Sequence, residues 1–190
     1  RPERTCLHVR RVAITHPVTG KPVTFTAPPS EGFKEAADER EPLDRILSKA
    51  LARRMECLLD DTTDAFRILT GDAEGVPGVN VDKYGDVLVM HLLDGRNVPS
   101  RAERVTLARS LMRTYRATAV YQKIDPKDRS SLSPHEAEML VTDRPLAGRE
   151  VDPVVVMHER GLKFETHPLD PLAVGLYLDH RGNRARVRAL

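Results

Sequence analysis

The spacing of apolar residues changes several times along the chain, and each change marks an element. From residue 5 to 28, apolar and polar residues alternate around His16-Pro17-Val18-Thr19-Gly20-Lys21-Pro22. Period-two alternation is the mark of a strand, and Thr-Gly between two prolines punctuates a turn. The stretch predicts a β-hairpin pairing 8–14 with 22–27. Ala27-Pro28-Pro29-Ser30-Glu31-Gly32 interrupts regular structure, and the acidic run that follows reads as a linker. From Glu41 the period lengthens. Leu43, Ile46, Leu47, Ala50, Leu51, Met55, Leu58 and Leu59 recur at steps of three and four. They predict one amphipathic helix over 41–59, with Pro42 tolerated in its first turn. Its other face carries Arg45, Lys49, Arg53 and Arg54, read first as a solvated surface and second as an RNA contact.

Short apolar runs follow. Strands are predicted at 66–69, 79–81, 87–93 and 118–124. Asp82-Lys83-Tyr84-Gly85-Asp86 supplies a hairpin turn, with Gly85 free to take positive φ. A helix over 99–115 places Val105, Ala108, Leu111, Met112 and Tyr115 on one side. Residues 125–150 read as a polar excursion, and 154–158 with 162–166 as a second hairpin about Glu159-Arg160-Gly161. The expected class is α+β: a mostly antiparallel sheet with hairpins and two or three covering helices. After Asp179, a plausible N-cap, a basic helix is predicted. Arg181, Arg184 and Arg188 then share one face, and a row of guanidiniums suits phosphate contact.

Composition narrows the class. The 190 residues include 40% hydrophobic and 31% charged residues, in the range of a globular chain with a core. Thirty Lys and Arg against 28 acids leave a formal charge of +2, so bulk charge does not announce a nucleic-acid binder. Local charge is more telling: residues 31–45 hold six acids and three bases, whereas 179–190 hold four Arg and one Asp. Cys6 and Cys57 fit no ligand spacing and suit a reducing cytoplasm. No apolar run reaches the ~18 residues of a membrane span.

Catalytic signatures are missing. There is no GxGxxG or GxxxxGK[ST] loop, and the seven His never form HxxxH or HExxH, so no metal site is expected. The Gly71–Gly78 segment, with its acids and Pro77, reads as a strand connection. Ser133-Pro134-His135-Glu136 reads as a capping box rather than a hydrolase motif. Asp125 and Asp128 read as solvated loop charges. The chain begins with Arg1 and stops at Leu190, just where a further element is expected, which suggests a piece of a longer protein.

Phe66-Arg67-Ile68-Leu69, followed by Gly75-Val76-Pro77-Gly78-Val79-Asn80-Val81-Asp82-Lys83-Tyr84-Gly85-Asp86, resembles a segment of RlmI-like large-subunit ribosomal RNA methyltransferases. These enzymes are of the S-adenosylmethionine-dependent, cytosine-C5 type. His158-Glu159-Arg160-Gly161-Leu162-Lys163-Phe164 is similar to a hairpin of that family. Gly175-Leu176-Tyr177-Leu178-Asp179-His180-Arg181-Gly182-Asn183-Arg184 is similar to the lead-in to its catalytic domain. Departures are His180 in place of Gln, Gly182 in place of an acid, and a poor match over 125–150. A second resemblance spans 7–33. Leu7-His8, Ile14 to Pro22, Phe25 to Pro29 and Phe33 look like the tail of RluA-type pseudouridine synthases.

The resemblance implies four parts: a hairpin tail over 1–30, an acidic linker and helix over 31–59, a substrate-side β domain over 60–170, and at 171–190 the opening helix of a truncated Rossmann-like domain. The S-adenosylmethionine-binding core and the catalytic residues would follow Leu190, so none is expected in this chain, and S-adenosylmethionine should bind it weakly or not at all. Tyr177, Asp179, Arg181 and Asn183 would lie at the junction near the cofactor. Arg67, Lys83, Tyr84 and Lys163, with Arg184 and Arg188, are the expected RNA contacts: cations to phosphates, Tyr84 to an unpaired base. The expected partner is large-subunit ribosomal RNA. The alternatives are a non-catalytic RNA-binding module and part of a bifunctional pseudouridine synthase/methyltransferase.

Overall fold

The structure, a computed structural model, describes residues 9–28, 43–93, 98–126, 133–171 and 174–190. The chain divides into two compact units, Arg1–Glu41 and Pro42–Leu190. In the first, β1 (Arg11–Thr15) and β2 (Pro22–Thr26) form the expected antiparallel hairpin, with Ile14 opposite Val23. His16 closes its turn: Nδ1 accepts from the amides of Val18 and Thr19 at 3.2 Å, and Gly20 adopts φ +67°.

The second unit is built on a five-stranded sheet. Its strands are β3 (Ala65–Thr70), β4 (Val79–Tyr84), β5 (Val87–Leu93), β6 (Ala119–Asp125) and β7 (Ala147–Gly148), in the spatial order of the sequence. All neighbours are antiparallel except β5 and β6. A parallel pair needs a crossover, supplied by helix α4 (Arg101–Thr114), which starts at a Ser100/Glu103 capping box.

Helix α1 (Leu43–Arg53) joins α4 on one face, over Ile68, Leu69, Val81, Leu88 and Met90. A hairpin of β8 (Val155–Glu159) and β9 (Leu162–Thr166) covers the other face, where Ala65, Tyr84, Val87, Val89, Tyr121 and Met157 pack. A sheet covered on both sides explains why Val87–Leu92 is an unbroken buried run rather than an alternating one.

Several sequence expectations are corrected. The helix expected over 41–59 is two helices, α1 and α2 (Met55–Leu59), because Arg54 leaves helical geometry at ψ 12° and turns its guanidinium inward. Only Gly85 and Asp86 form the β4–β5 turn, since Asp82, Lys83 and Tyr84 pair with β5. The Gly71–Gly78 connection begins with a helical turn, α3 (Gly71–Glu74), closed by Gly75 at φ +90°. A Cβ on Gly71 would collide with the carbonyls of Val76 and Val79. Within 125–150 lie α5 (Pro134–Glu138), carrying the expected Ser133/Glu136 capping box, and β7. Helix α6 (Arg181–Arg188) forms, but Asp179 does not cap it: His180 is the N-cap residue and Asp179 sits in a 3-10 turn over Leu178–His180.

Candidate functional site: a basic cavity beside the sheet

Alternation along the strands sends Arg67, Asp82, His91, Lys123 and Asp125 to the sheet face that the β8–β9 hairpin only partly covers. They form a polar row across four strands. Arg67 grips Asp82 with two hydrogen bonds, Nε to Oδ1 at 2.8 Å and Nη2 to Oδ2 at 3.0 Å. His91 Nε2 lies 3.3 Å from Asp82 Oδ2, and its Nδ1 lies 3.2 Å from Asp125 Oδ2. Both contacts are within ion-pair range, so each ring nitrogen faces a carboxylate oxygen. Lys123, only 2% exposed, donates from Nζ to the Asp170 carbonyl at 2.8 Å.

The row sets its own charge states. Burial alone would raise the Asp82 carboxyl, but His91 and Arg67 outweigh it and hold the pKa at about 2. Burial opposes a charged His91, and the carboxylates of Asp125 and Asp82 overcome that and raise its pKa. Arg67 is raised by its hydrogen bonds to Asp82. Tyr84 is pushed up by burial and then by Asp82, so its phenol stays neutral.

Above the row opens a cavity of about 850 Å³. Its cations are Arg53, Arg54, Arg67, Lys123 and Arg181; its apolar wall includes Phe66, Val174, Leu176 and Leu178. Arg54 is fixed by a 2.6 Å pair with the fully buried Glu74, which also accepts from the Thr70 amide and from Arg53. Arg181 directs both guanidinium NH groups at Cys57 Sγ, at 3.2 and 3.3 Å.

Of the expected site residues, the cavity collects Arg67, Tyr84, Tyr177, Asp179 and Arg181. Tyr84 is a buried wall, 3% exposed, whereas Tyr177 is 75% exposed, its ring tilted 41° to that of His180. Lys83 lies on the other face of β4, half-buried; burial lowers its pKa and Nζ donates to the Gly85 carbonyl. Lys163 is exposed on β9, away from the cavity, and Asn183 is exposed outside it. Arg181, Arg184 and Arg188 share a helix face as expected, but all three touch the protein. Arg184 grips the buried Glu159 at 2.8 and 2.6 Å, and Arg188 donates to the Arg160 carbonyl at 2.8 Å.

Sequence reading missed Arg54, His91, Lys123 and Asp125 in this cavity region. Asp125 is no free loop charge: it closes β6 and faces His91, while Asp128 lies outside the described residues. The legible signal was one His amid the apolar run of β5, which needs polar neighbours when buried. No group of three or more potential metal ligands occurs among the described residues.

No family profile matches the chain. Single relatives do. Ribosomal RNA large subunit methyltransferase I of Erwinia tasmaniensis is 30% identical over 145 residues, 76% of this chain and 34% of that protein. The Shewanella denitrificans protein of the same name is 27% identical over 154 residues, 80% of this chain and 36% of its own. Among solved structures, a methyltransferase complexed with SAH superposes with a TM-score of 0.59 at 20% identity, covering 76% of this chain and 34% of that one. A SAM-dependent methyltransferase from Streptococcus mutans gives 0.58 at 20% identity. The sequence resemblance to large-subunit ribosomal RNA methyltransferases is thus borne out, and so is the α+β class. The chain spans about a third of the length of the relatives it matches.

Proposed function

We propose that this chain is the RNA-positioning part of an S-adenosylmethionine-dependent methyltransferase of large-subunit ribosomal RNA, acting in the cytoplasm. The observation that carries this reading is the extent of the match: three-quarters of this chain, but only a third of each relative. The residues present do not make a cofactor site by themselves. Tyr177, Asp179 and Asn183 are exposed, and no glycine-rich strand–turn–helix cradle occurs among the described elements. No methyl-transfer step is therefore assigned to this chain; in the parent, S-adenosylmethionine would supply the methyl group from the domain that α6 leads into.

In this reading the chain's own work is to hold RNA. Arg67 and Lys163 present cations at the surface, Arg67 with its plane fixed by Asp82, and Lys83 contributes charge from the β4–β5 end of the sheet. Tyr84 supports the cavity wall. Arg184 and Arg188 anchor α6 and contribute to the positive field beside the junction. The β1–β2 hairpin would be the tail of a fused pseudouridine synthase.

Calorimetric titration with S-adenosylhomocysteine tests the division of labour. This chain should give little or no heat, and one extended past Leu190 in the natural reading frame should bind. Equal binding by both would overturn the reading.

A further inference from the structure

Resting on the RNA-positioning reading, we infer that the basic cavity is a subsite for one unpaired nucleotide of the RNA strand, with its phosphate at the Arg53/Arg181 rim and its base against Tyr177. Two independent features converge on this ligand. The first is size and lining: about 850 Å³, cations at the mouth, and an apolar wall of Phe66, Val174, Leu176 and Leu178. Such a mixture suits a group that is anionic at one end and flat and aromatic at the other.

The second is the rim. Tyr177 keeps 75% of its surface exposed beside the opening, although a ring of that size is normally packed. Exposed aromatic faces are the platforms on which single-stranded bases stack. Arg53 is also half-exposed, with a side chain 54% accessible and one 3.2 Å contact to Glu74, which Arg54 already neutralises at 2.6 Å. Its remaining NH groups can meet a phosphate.

His91 also lines the cavity, 7% exposed, with Nε2 3.3 Å from Asp82 Oδ2 and Nδ1 3.2 Å from Asp125 Oδ2. Both ring nitrogens are thus engaged by carboxylates, and the ring serves as a reporter of a nucleotide entering the cavity rather than as its hydrogen-bond donor.

The test is an NMR titration of the 190-residue chain with single-stranded pentacytidylate, and separately with inorganic phosphate, observing the His91 imidazole and the arginine side chains. The expected result is saturable shifts at His91 and Arg181 with pentacytidylate, an affinity loss of at least fivefold in Tyr177→Ala and in Arg53→Gln, and none in Glu165→Gln on exposed β9. Phosphate should bind much more weakly than the oligonucleotide. Equal binding of the two would overturn the base-stacking assignment. RNA binding with an unperturbed cavity would overturn the subsite and leave the RNA-positioning reading standing. No binding of pentacytidylate or of ribosomal RNA fragments would remove both.

Discussion

At the scale of single residues, charge burial decides more than hydrophobicity does. Asp82, 4% exposed, is kept ionised with a pKa near 2, well below an unfolded carboxyl. The linkage sign follows: its contribution is present above about pH 4 and is lost as pH falls through about 2, on the order of 2 kcal/mol shared with Arg67 and His91. His91 is shifted the other way. Its stabilisation is full below about 6.5 and disappears as pH rises through its raised folded pKa. Urea unfolding between pH 2 and 9 should show both limbs; His91→Gln should flatten the alkaline one and also shrink the acid one, because His91 helps to hold Asp82 ionised. The fully buried Glu74 offers a sharper test. Glu74→Gln leaves Arg54 without its counter-charge and should cost about 3 kcal/mol. An unchanged urea midpoint would show that the pair is solvated.

Among the elements, α6 illustrates how a basic helix can be structural. It is eight residues long, too short to persist alone. Three side chains pin it: Arg181 on Cys57 of α2, Arg184 on Glu159, and Arg188 on the Arg160 carbonyl at the tip of the β8–β9 turn. That turn is itself demanding, with Arg160 at φ +50° and Gly161 at +78°. It is seated by Thr63 Oγ1 and the Thr62 carbonyl, which accept from the amides of Arg160 and Gly161. Arg184→Ala should therefore cost about 2 kcal/mol locally, since it also strands a buried carboxylate. Amide hydrogen exchange over 181–188 should accelerate at least tenfold while exchange in β5 stays slow; uniform protection would mean that the helix is held by other contacts.

Across the whole molecule, the proposed RNA contact would draw on exposed cations, because several guanidiniums among the described residues are already engaged by carboxylates or carbonyls. Exposed Lys163 should then count for more than half-buried Lys83. Lys163→Ala should lower the slope of log affinity for ribosomal RNA against log salt by about one, and Lys83→Ala by less. If both leave affinity and slope untouched, RNA runs over another surface. No helix among the described residues is long and apolar enough to cross a membrane.

The sequence by itself determined the elements, because period and turn chemistry are local. Alternation around Thr19-Gly20, the steps of three and four from Leu43, and the Ser133/Glu136 capping box each appear in place. It also pointed to the relatives, through motifs contiguous in the chain. What only the tertiary structure decided is which charges face inward. Arg54 lay in a helix pattern that predicted solvent, and Asp125 in a run that predicted a loop; their partners Glu74 and His91 stand 20 and 34 residues away. A buried ion pair has no periodic signature, since its energy depends on the distance between strands and helices brought together by the core. The cavity exists for the same reason: its walls come from α1, four strands and the segment before α6, and only packing sets them around one space.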